Sequence, residues 1–511
     1  MGSNTKANNS GLPHLAPKRL ILAASIAALF CGFSAPAFSA DSEALLDKLR
    51  EKGVLSEEEY QQMRTDARAE RRAQALKEAN EEEKKVKKAE SAASELTGRF
   101  RDGFSWESGD KENSISLSGR IQADYRRFSN DSGSVTSPSG ASADTFDIRR
   151  AYLGVSGKLY NDWTFELTTD LAADTIEYAW INYKFSDLVQ TRIGAFKMPF
   201  SYEELTSSRL IDFQERSLAN ALVPGKEQAL SIYGSPTKWS SYAVAYSNGQ
   251  GKEGDEVNAT VDDKDLIARV AANFAEAFSI PNTVIHLGLG YTTGTVPMNT
   301  AATTTNNVPS GRTEGRGLTF FTGPGFVNGT DVGLTEYDRK RDGIEGILAW
   351  GPVKLQSEFI RANFSGTATG NVEFDRDITA SYAALSWLIT GEKYSDFYTP
   401  NGSRNLKPNR PFKKGADGWG AWELGVRFSK WDASDFTTTN PAGTGVITAA
   451  STNKADSIAV GLKWIPNTNT RIYLNYIETK FDTPITGVVE GGANVTTEDE
   501  KAITLRMGVF F

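Results

Sequence analysis

From residue 113 to the end of the chain, apolar and polar side chains alternate with a period of two, the mark of strands that are apolar on one face only. Ser114–Arg126 shows it best. Ile115, Leu117, Gly119, Ile121, Ala123 and Tyr125 share one face, and Ser116, Ser118, Arg120, Gln122, Asp124 and Arg126 the other. The alternation returns at Trp163–Leu171, Ile285–Tyr291 and Trp422–Phe428, and on both sides of the turn Pro466–Thr468. Segments this long suit a tilted membrane crossing of roughly 9–11 residues, whereas strands of soluble sandwiches run nearer to about 5–6. The spacing predicts about sixteen strands, near 114–127, 145–158, 162–172, 175–185, 188–196, 227–234, 239–247, 264–275, 282–291, 343–350, 353–362, 376–390, 419–431, 455–465, 469–480 and 500–511.

Tight turns (159–161, 186–187, 235–238, 351–352, 466–468) largely alternate with long loops (128–144, 197–226, 248–263, 292–342, 363–375, 432–454, 481–499). Bacterial barrels show this asymmetry, with short periplasmic turns and long outer loops. Two connections break it: 391–418 is long for a periplasmic turn, and 173–174 is very short for an external one. The last strand alternates through Ile503, Leu505, Met507 and Val509 to a terminal aromatic, Phe511. That pattern resembles the signal by which outer-membrane barrels engage their assembly machinery. The predicted fold class is thus all-β transmembrane: an antiparallel β-barrel preceded by a short α-helical, coiled-coil-like segment.

The helical segment is 41–96, dense in Glu, Lys, Arg and Ala and without proline. Ser42–Lys52 reads as a short helix stopped by Gly53. Ser56 and Glu59 form an S-x-x-E capping box that opens a second helix running to about Ala93. Tyr60, Met63, Ala67, Ala73, Leu76 and Val86 follow heptad spacing loosely, which leaves two readings: a solvated helix with i,i+4 pairs, or a weak oligomeric coiled coil. Residues 97–112 read as a linker to a barrel domain spanning 113–511. At the start, Lys18 and Arg19, the apolar run Leu20–Phe30 and the Ala37-Phe38-Ser39-Ala40 motif predict a secretory signal peptide, 1–40, cleaved after Ala40. Phe30 before Cys31 is too large for a lipobox.

Hydrophobic residues make up only 39 % of the chain, and no stretch after residue 31 has the roughly 18 consecutive apolar residues of a membrane helix. A barrel needs none, because its strands average to neutral hydropathy. Cleavage removes Cys31 and His14 and leaves His286 as the single histidine. Zinc sites, thiol chemistry and a Ser-His-Asp triad are thereby set aside, and neither enzyme activity nor a metal or cofactor is expected. The formal charge is −8 and becomes more negative once Lys6, Lys18 and Arg19 are lost, which argues against nucleic acid as a partner.

Function then rests on pore width and lumen charge. Strand parity turns Arg120, Arg126, Arg150, Lys158, Arg192, Arg269 and Arg427 inward, with the acids Asp124, Glu166, Asp170 and Glu423. So many charges on one face require a water-filled interior, since a basic residue facing lipid at mid-bilayer costs roughly 2–4 kcal/mol. The loop 197–226 is the candidate constriction. Its Phe200, Leu205, Leu210, Ile211, Phe213 and Leu218 call for burial, either inside the barrel or within a surface Ω-loop. It also carries Lys197, Glu204, Arg209 and Arg216.

Several motifs, in order along about 145–511, resemble the phosphate-selective porin O and P family. They are Ile148-Arg149-Arg150-Ala151-Tyr152-Leu153 leading to Trp163, Phe196-Lys197-Met198-Pro199-Phe200, Thr206-Ser207-Ser208, Glu215-Arg216-Ser217, Val284–Leu289, Leu388–Glu392 and Gly420–Leu424. The resemblance implies a sixteen-stranded barrel, a homotrimer in outer-membrane lipid, and passive diffusion of small ions and hydrophilic solutes. Phosphate-specific members place lysines in the constriction and an arginine ladder along the lumen. A constriction lysine aligns with Glu204 here, an acid that would repel a dianion, and its accompanying acid aligns with Glu177. The leading expectation is therefore a general or weakly selective outer-membrane porin of a Gram-negative bacterium. The alternatives are a phosphate or polyphosphate channel, a structural protein whose helix 41–96 contacts peptidoglycan, and a barrel enzyme.

Overall fold

A computed structural model describes residues 40–100, 103–129, 144–249, 264–297, 308–321, 336–368, 372–436, 452–490 and 493–511. It divides into two units, Met1–Ala92 and Ala93–Phe511. The signal segment lies outside the described residues, as do most of the loops expected at 128–144, 248–263 and 432–454 and two stretches, 298–307 and 322–335, of the one expected at 292–342.

The first unit holds helices α1 (Ala40–Glu51) and α2 (Glu57–Ser94). Gly53, at φ +67°, ends α1 in the left-handed conformation that glycine adopts without steric penalty. The Ser56 backbone N–H donates to Glu59 Oε2 at 3.0 Å, and the Glu59 N–H donates to Ser56 Oγ at 3.3 Å, the reciprocal capping box. The Ser56 hydroxyl, followed by its backbone N–H, holds the Glu59 carboxyl below its ordinary value. Tyr60 is buried, donates to Asp47 of α1, and lies under the guanidinium of Arg50 at 4.8 Å. Met63, Leu76 and Val86 along α2 are exposed in the single chain.

The second unit is a β-barrel. Its strands are β1 (Leu96–Phe100), β2 (Phe104–Ser108), β3 (Ser114–Phe128), β4 (Thr145–Leu159), β5 (Trp163–Asp170), β6 (Thr175–Lys184), β7 (Gln190–Lys197), β8 (Lys226–Thr237), β9 (Ser240–Ser247) and β10 (Asp265–Asn273). They continue with β11 (Thr283–Pro297), β12 (Gly311–Arg312), β13 (Thr319–Phe321), β14 (Glu336–Trp350), β15 (Val353–Ala368), β16 (Val372–Leu388), β17 (Ala421–Asp432), β18 (Lys454–Asn467), β19 (Thr470–Glu490) and β20 (Ala493–Phe510). Sixteen of them, all except β1, β2, β12 and β13, pair antiparallel in chain order. β20 closes the circle on β3, with Phe510 opposite Arg120 and Ala502 opposite Phe128. The faces are inverted relative to a soluble protein. Ile121, Leu167, Ile181, Ile193 and Met507 stand exposed on the outside, while Gln122, Asp124, Arg427 and Arg506 are buried inside. Only surrounding hydrocarbon makes that arrangement favourable.

Two sequence expectations need revision. Residues 97–112 are not a plain linker: β1 and β2 form a hairpin whose second strand pairs with the first residues of β3, from Glu107 opposite Ser114 to Phe104 opposite Leu117. One edge of β3 is thus shared between β20 and β2. Five-residue strands are too short for period two to stand out. Residues 363–375 and 481–499 are not open loops either. Their strands run on to Ala368 opposite Val372 and to Glu490 opposite Ala493. Polar rungs such as Asn363 Nδ2 to Asp377 Oδ1 at 2.7 Å hold them there, so the apolar face that marked the strand in sequence is no longer needed.

Candidate functional site

The barrel interior is divided by the segment that follows β7. Phe200 packs over Gly290 and Gly343 on the inner faces of β11 and β14, where an added Cβ on either would come within 3.0 Å of its ring. Phe213 sits in the same way over Gly425 and Gly461, where a Cβ on either glycine would lie 3.0 Å from its ring. Missing side chains on the wall make the two holes that anchor the segment.

Polar contacts complete the docking. Ser201 caps a short helix, α3 (Tyr202–Leu205), accepting from the Glu204 N–H at 3.2 Å. The N–H groups of Tyr202 and Glu203 donate outward to Glu345 at 2.5 Å and Glu358 at 2.7 Å. Asp212 meets Lys354 at 2.7 Å, and Glu215 meets Arg506 at 2.6 Å and Arg149 at 3.1 Å. Arg216 donates to the carbonyls of Glu203 and Thr206 at 3.1 and 3.0 Å and pairs with the Glu204 carboxylate at 3.2 Å. Burial alone would raise the Glu204 carboxyl; the charges of Arg216 and then Lys197 outweigh it and hold the group below its ordinary value.

Two further segments fill the lumen. The β12–β13 ribbon buries Leu318, Phe320 and Phe321 against Trp431, Phe436 and Phe481, and its Glu314 pairs with Arg427 at 2.7 Å. From the short-turn end, the 389–420 connection buries Tyr394 and Leu406 and offers the Pro400 carbonyl to Arg269 at 2.7 Å. Among the described residues a cavity of about 560 Å³ stays open against strands β3–β9. Arg120, Arg192, Lys197 and Arg209 line it, against the single acid Glu166, with Tyr152, Tyr178, Trp180 and Tyr233 as aromatic wall. Arg120 donates to Ser208 at 2.8 Å and Ser207 at 3.1 Å and stacks 4.6 Å over Tyr152.

Of the charged residues singled out from sequence, Arg120, Arg192, Lys197, Arg209 and Glu166 reach this cavity. The others face inward but are engaged elsewhere. Arg126 pairs with Asp124 and with Asp147, the latter at 3.3 Å; Arg150 donates to Gln122 at 3.2 Å. Arg269 binds Glu345, and Arg427 spans Glu203 and Glu314. Lys158 lies at the exposed rim, bonded to the Lys111 carbonyl at 2.8 Å and to Asn161. Glu204 does not stand as a free acid before a permeating anion, because Arg216 and Lys197 neutralise it. Parity identified none of the aromatic wall, nor Asn401, which enters from the opposite end of the barrel.

A closed barrel, apolar outside and charged inside around an open cavity, is a channel of the bacterial outer membrane. Residues 115–508 match the model of the family described as phosphate-selective porin O and P, and the chain belongs to that family. It is an outer-membrane porin. It is 27 % identical over 399 residues to Porin O of Pseudomonas aeruginosa, an alignment covering 73 % of this chain and 84 % of that one. Among solved structures it is similar to an anion-selective porin from Comamonas acidovorans (13 % identity, TM-score 0.47, covering 78 % of this chain and 100 % of the other). It is also similar to the outer-membrane channel DcaP of Acinetobacter baumannii (12 % identity, TM-score 0.46, 78 % and 97 %). A third is OmpT of Vibrio cholerae in a trimer form (10 % identity, TM-score 0.44, 78 % and 99 %).

Proposed function

We propose that this porin conducts small ions and hydrophilic solutes with a preference for anions. The observation that carries the reading is the lining of the open cavity: Arg120, Arg192 and Arg209 against Glu166, with Lys197 beside them paired to Glu204. Walls of one sign in a narrow, low-dielectric passage concentrate the opposite ion and exclude the like one. The acidic balance of the whole chain does not oppose this, because the loop acids Glu203, Glu204, Asp212 and Glu215 are consumed in pairs with inward cations. Reversal potentials across a planar bilayer in a KCl gradient test it: chloride preference is expected, and cation preference overturns it.

A phosphate-selective pore is the second reading, favoured by the pairing of Glu204 with Arg216 and Lys197, which leaves no unpaired acid at that point to repel a dianion. Its mark would be block of chloride current by inorganic phosphate at concentrations where sulfate does nothing. Around this channel the chain is organised as a cleaved signal, a periplasmic helical segment 41–96 and a trimeric barrel. Residues 198–225 serve as the constriction, and Phe511 engages the assembly machinery.

A further inference from the structure

We propose that the cavity holds a subsite for aryl carboxylates, so that its preferred organic permeants are aromatic acids; this rests on the anion preference proposed above and names the class of anion. Arg192 is the centre of the subsite. Its guanidinium lies 4.1 Å from the ring centre of Trp180 and 5.0 Å from that of Tyr233. Nη2 donates to the Tyr233 hydroxyl at 2.9 Å. That hydroxyl in turn donates to Asn182 Oδ1 at 2.6 Å, and Asn182 is held by Thr164 at 3.3 Å. The relay fixes the tyrosine as an acceptor towards Arg192, and so fixes the plane of the guanidinium. Among the described residues that is the only hydrogen bond Arg192 makes; it has no carboxylate partner, and its buried Nε has no partner at all.

The charge is therefore uncompensated, oriented, and set in an aromatic wall. A bare inorganic oxyanion uses only half of this. It takes donors on every side, and Trp180 and Tyr178 offer rings where it wants N–H and O–H groups. An aryl carboxylate matches both halves, with its carboxylate on the free edge of Arg192 and its ring against the aromatic wall. A cavity of about 560 Å³ falls in the range of roughly 300–1,000 Å³ over which apolar pockets with a few convergent polar groups take small organic ligands.

The test uses the full-length protein in planar bilayers with chloride as the carrier, titrated with benzoate, acetate and inorganic phosphate. Benzoate should half-block the current at a concentration about 3- to 10-fold lower than acetate, the contribution of one aromatic pair. Trp180→Leu should bring that ratio towards one, Trp180→Phe should keep most of it, and Arg192→Gln should weaken benzoate and acetate together. Equal block by benzoate and acetate in the unmodified channel overturns the proposal, as does an unchanged ratio in Trp180→Leu. The unmodified channel decides alone if a variant fails to insert. Reversal potentials from the same records keep the two readings apart. Cation preference defeats the anion reading; chloride preference without a benzoate advantage defeats only the aromatic subsite.

Discussion

At the scale of the residue, the arrangement turns on which inward charges are spent on structure and which are left for permeants. Arg216 and Glu204 are held together inside the barrel, with Lys197 as the acid's second partner. Removing one member of such a pair leaves the second charge buried and undercompensated, at a cost of about 3–5 kcal/mol. Arg216→Gln should therefore destabilise the barrel and move the reversal potential towards cations, while Glu204→Gln should move it towards anions. The double variant should recover much of the lost stability, because the two changes share one interaction. Thermal unfolding and KCl-gradient potentials check this; equal potentials in the two single variants would contradict the assigned pairing. The same distinction explains what the sequence could not say. Strand parity turns Arg120, Arg126, Arg150, Arg192, Arg269 and Arg427 inward, since parity reports the face. It carries no information on partners, and the partners of Arg427, Glu203 and Glu314, come from segments more than a hundred residues away in the chain.

At the scale of the element, the segment 198–225 is held mainly by charge and by two phenylalanines, and the two respond differently to conditions. Asp212 and Glu215 are each pushed up by burial and pulled further down by cations, Lys354 foremost for the first and Arg506 for the second, so both carboxyls lie below their ordinary values. Glu204 behaves alike. Groups depressed in the folded state add stability above their unfolded pKa of about 4, and that stability is lost as the pH falls through the folded values. Glu203 runs the other way, raised by burial, and gains on protonation; three groups oppose one. Single-channel records should thus be steady from neutrality down to about pH 5, with closing fluctuations growing below about pH 4. Fluctuations that peak near neutrality would refute that ion-pair clamp. Phe200→Ala, by contrast, should loosen the segment at every pH, with a loss of about 3–5 kcal/mol for a buried phenylalanine, seen as excess current noise at pH 7. The elements themselves were largely legible. All sixteen barrel strands lie where period-two alternation put them, because lipid on one side and water on the other impose that period on every crossing. The β12–β13 ribbon was not legible: Leu318, Phe320 and Phe321 are three apolar residues in a stretch of Gly and Thr, too few to distinguish a plug from a loop.

At the scale of the whole molecule, the chain joins a barrel that needs lipid to a helical unit that does not. The helices have their own cap at Ser56 and their own small core at Tyr60, whereas the barrel closes through β20 on β3 without them. The hairpin β1–β2 belongs to the barrel, since β2 extends the edge of β3 below β20. These boundaries determine where the chain can be cut. Removal of residues 41–94, with the signal joined directly to Glu95, should leave conductance and ion preference as in the intact protein. Removal that extends through Ser108 should cost more, because it strips the partner strand from Ser114–Leu117 and leaves backbone N–H and C=O groups at the membrane rim unpaired. The first deletion also separates the two roles assigned to the helical segment. If it tethers the barrel to the cell wall, co-sedimentation of the intact protein with purified peptidoglycan should be strong and should vanish on deletion. If α2 instead assembles with its copies through Met63, Leu76 and Val86, which are exposed in the single chain, the deletion should lower the thermal stability of the assembled porin while wall binding stays absent throughout. An assembly of unchanged size and stability, with no wall binding before or after deletion, would remove both roles and leave the segment as a solvated spacer.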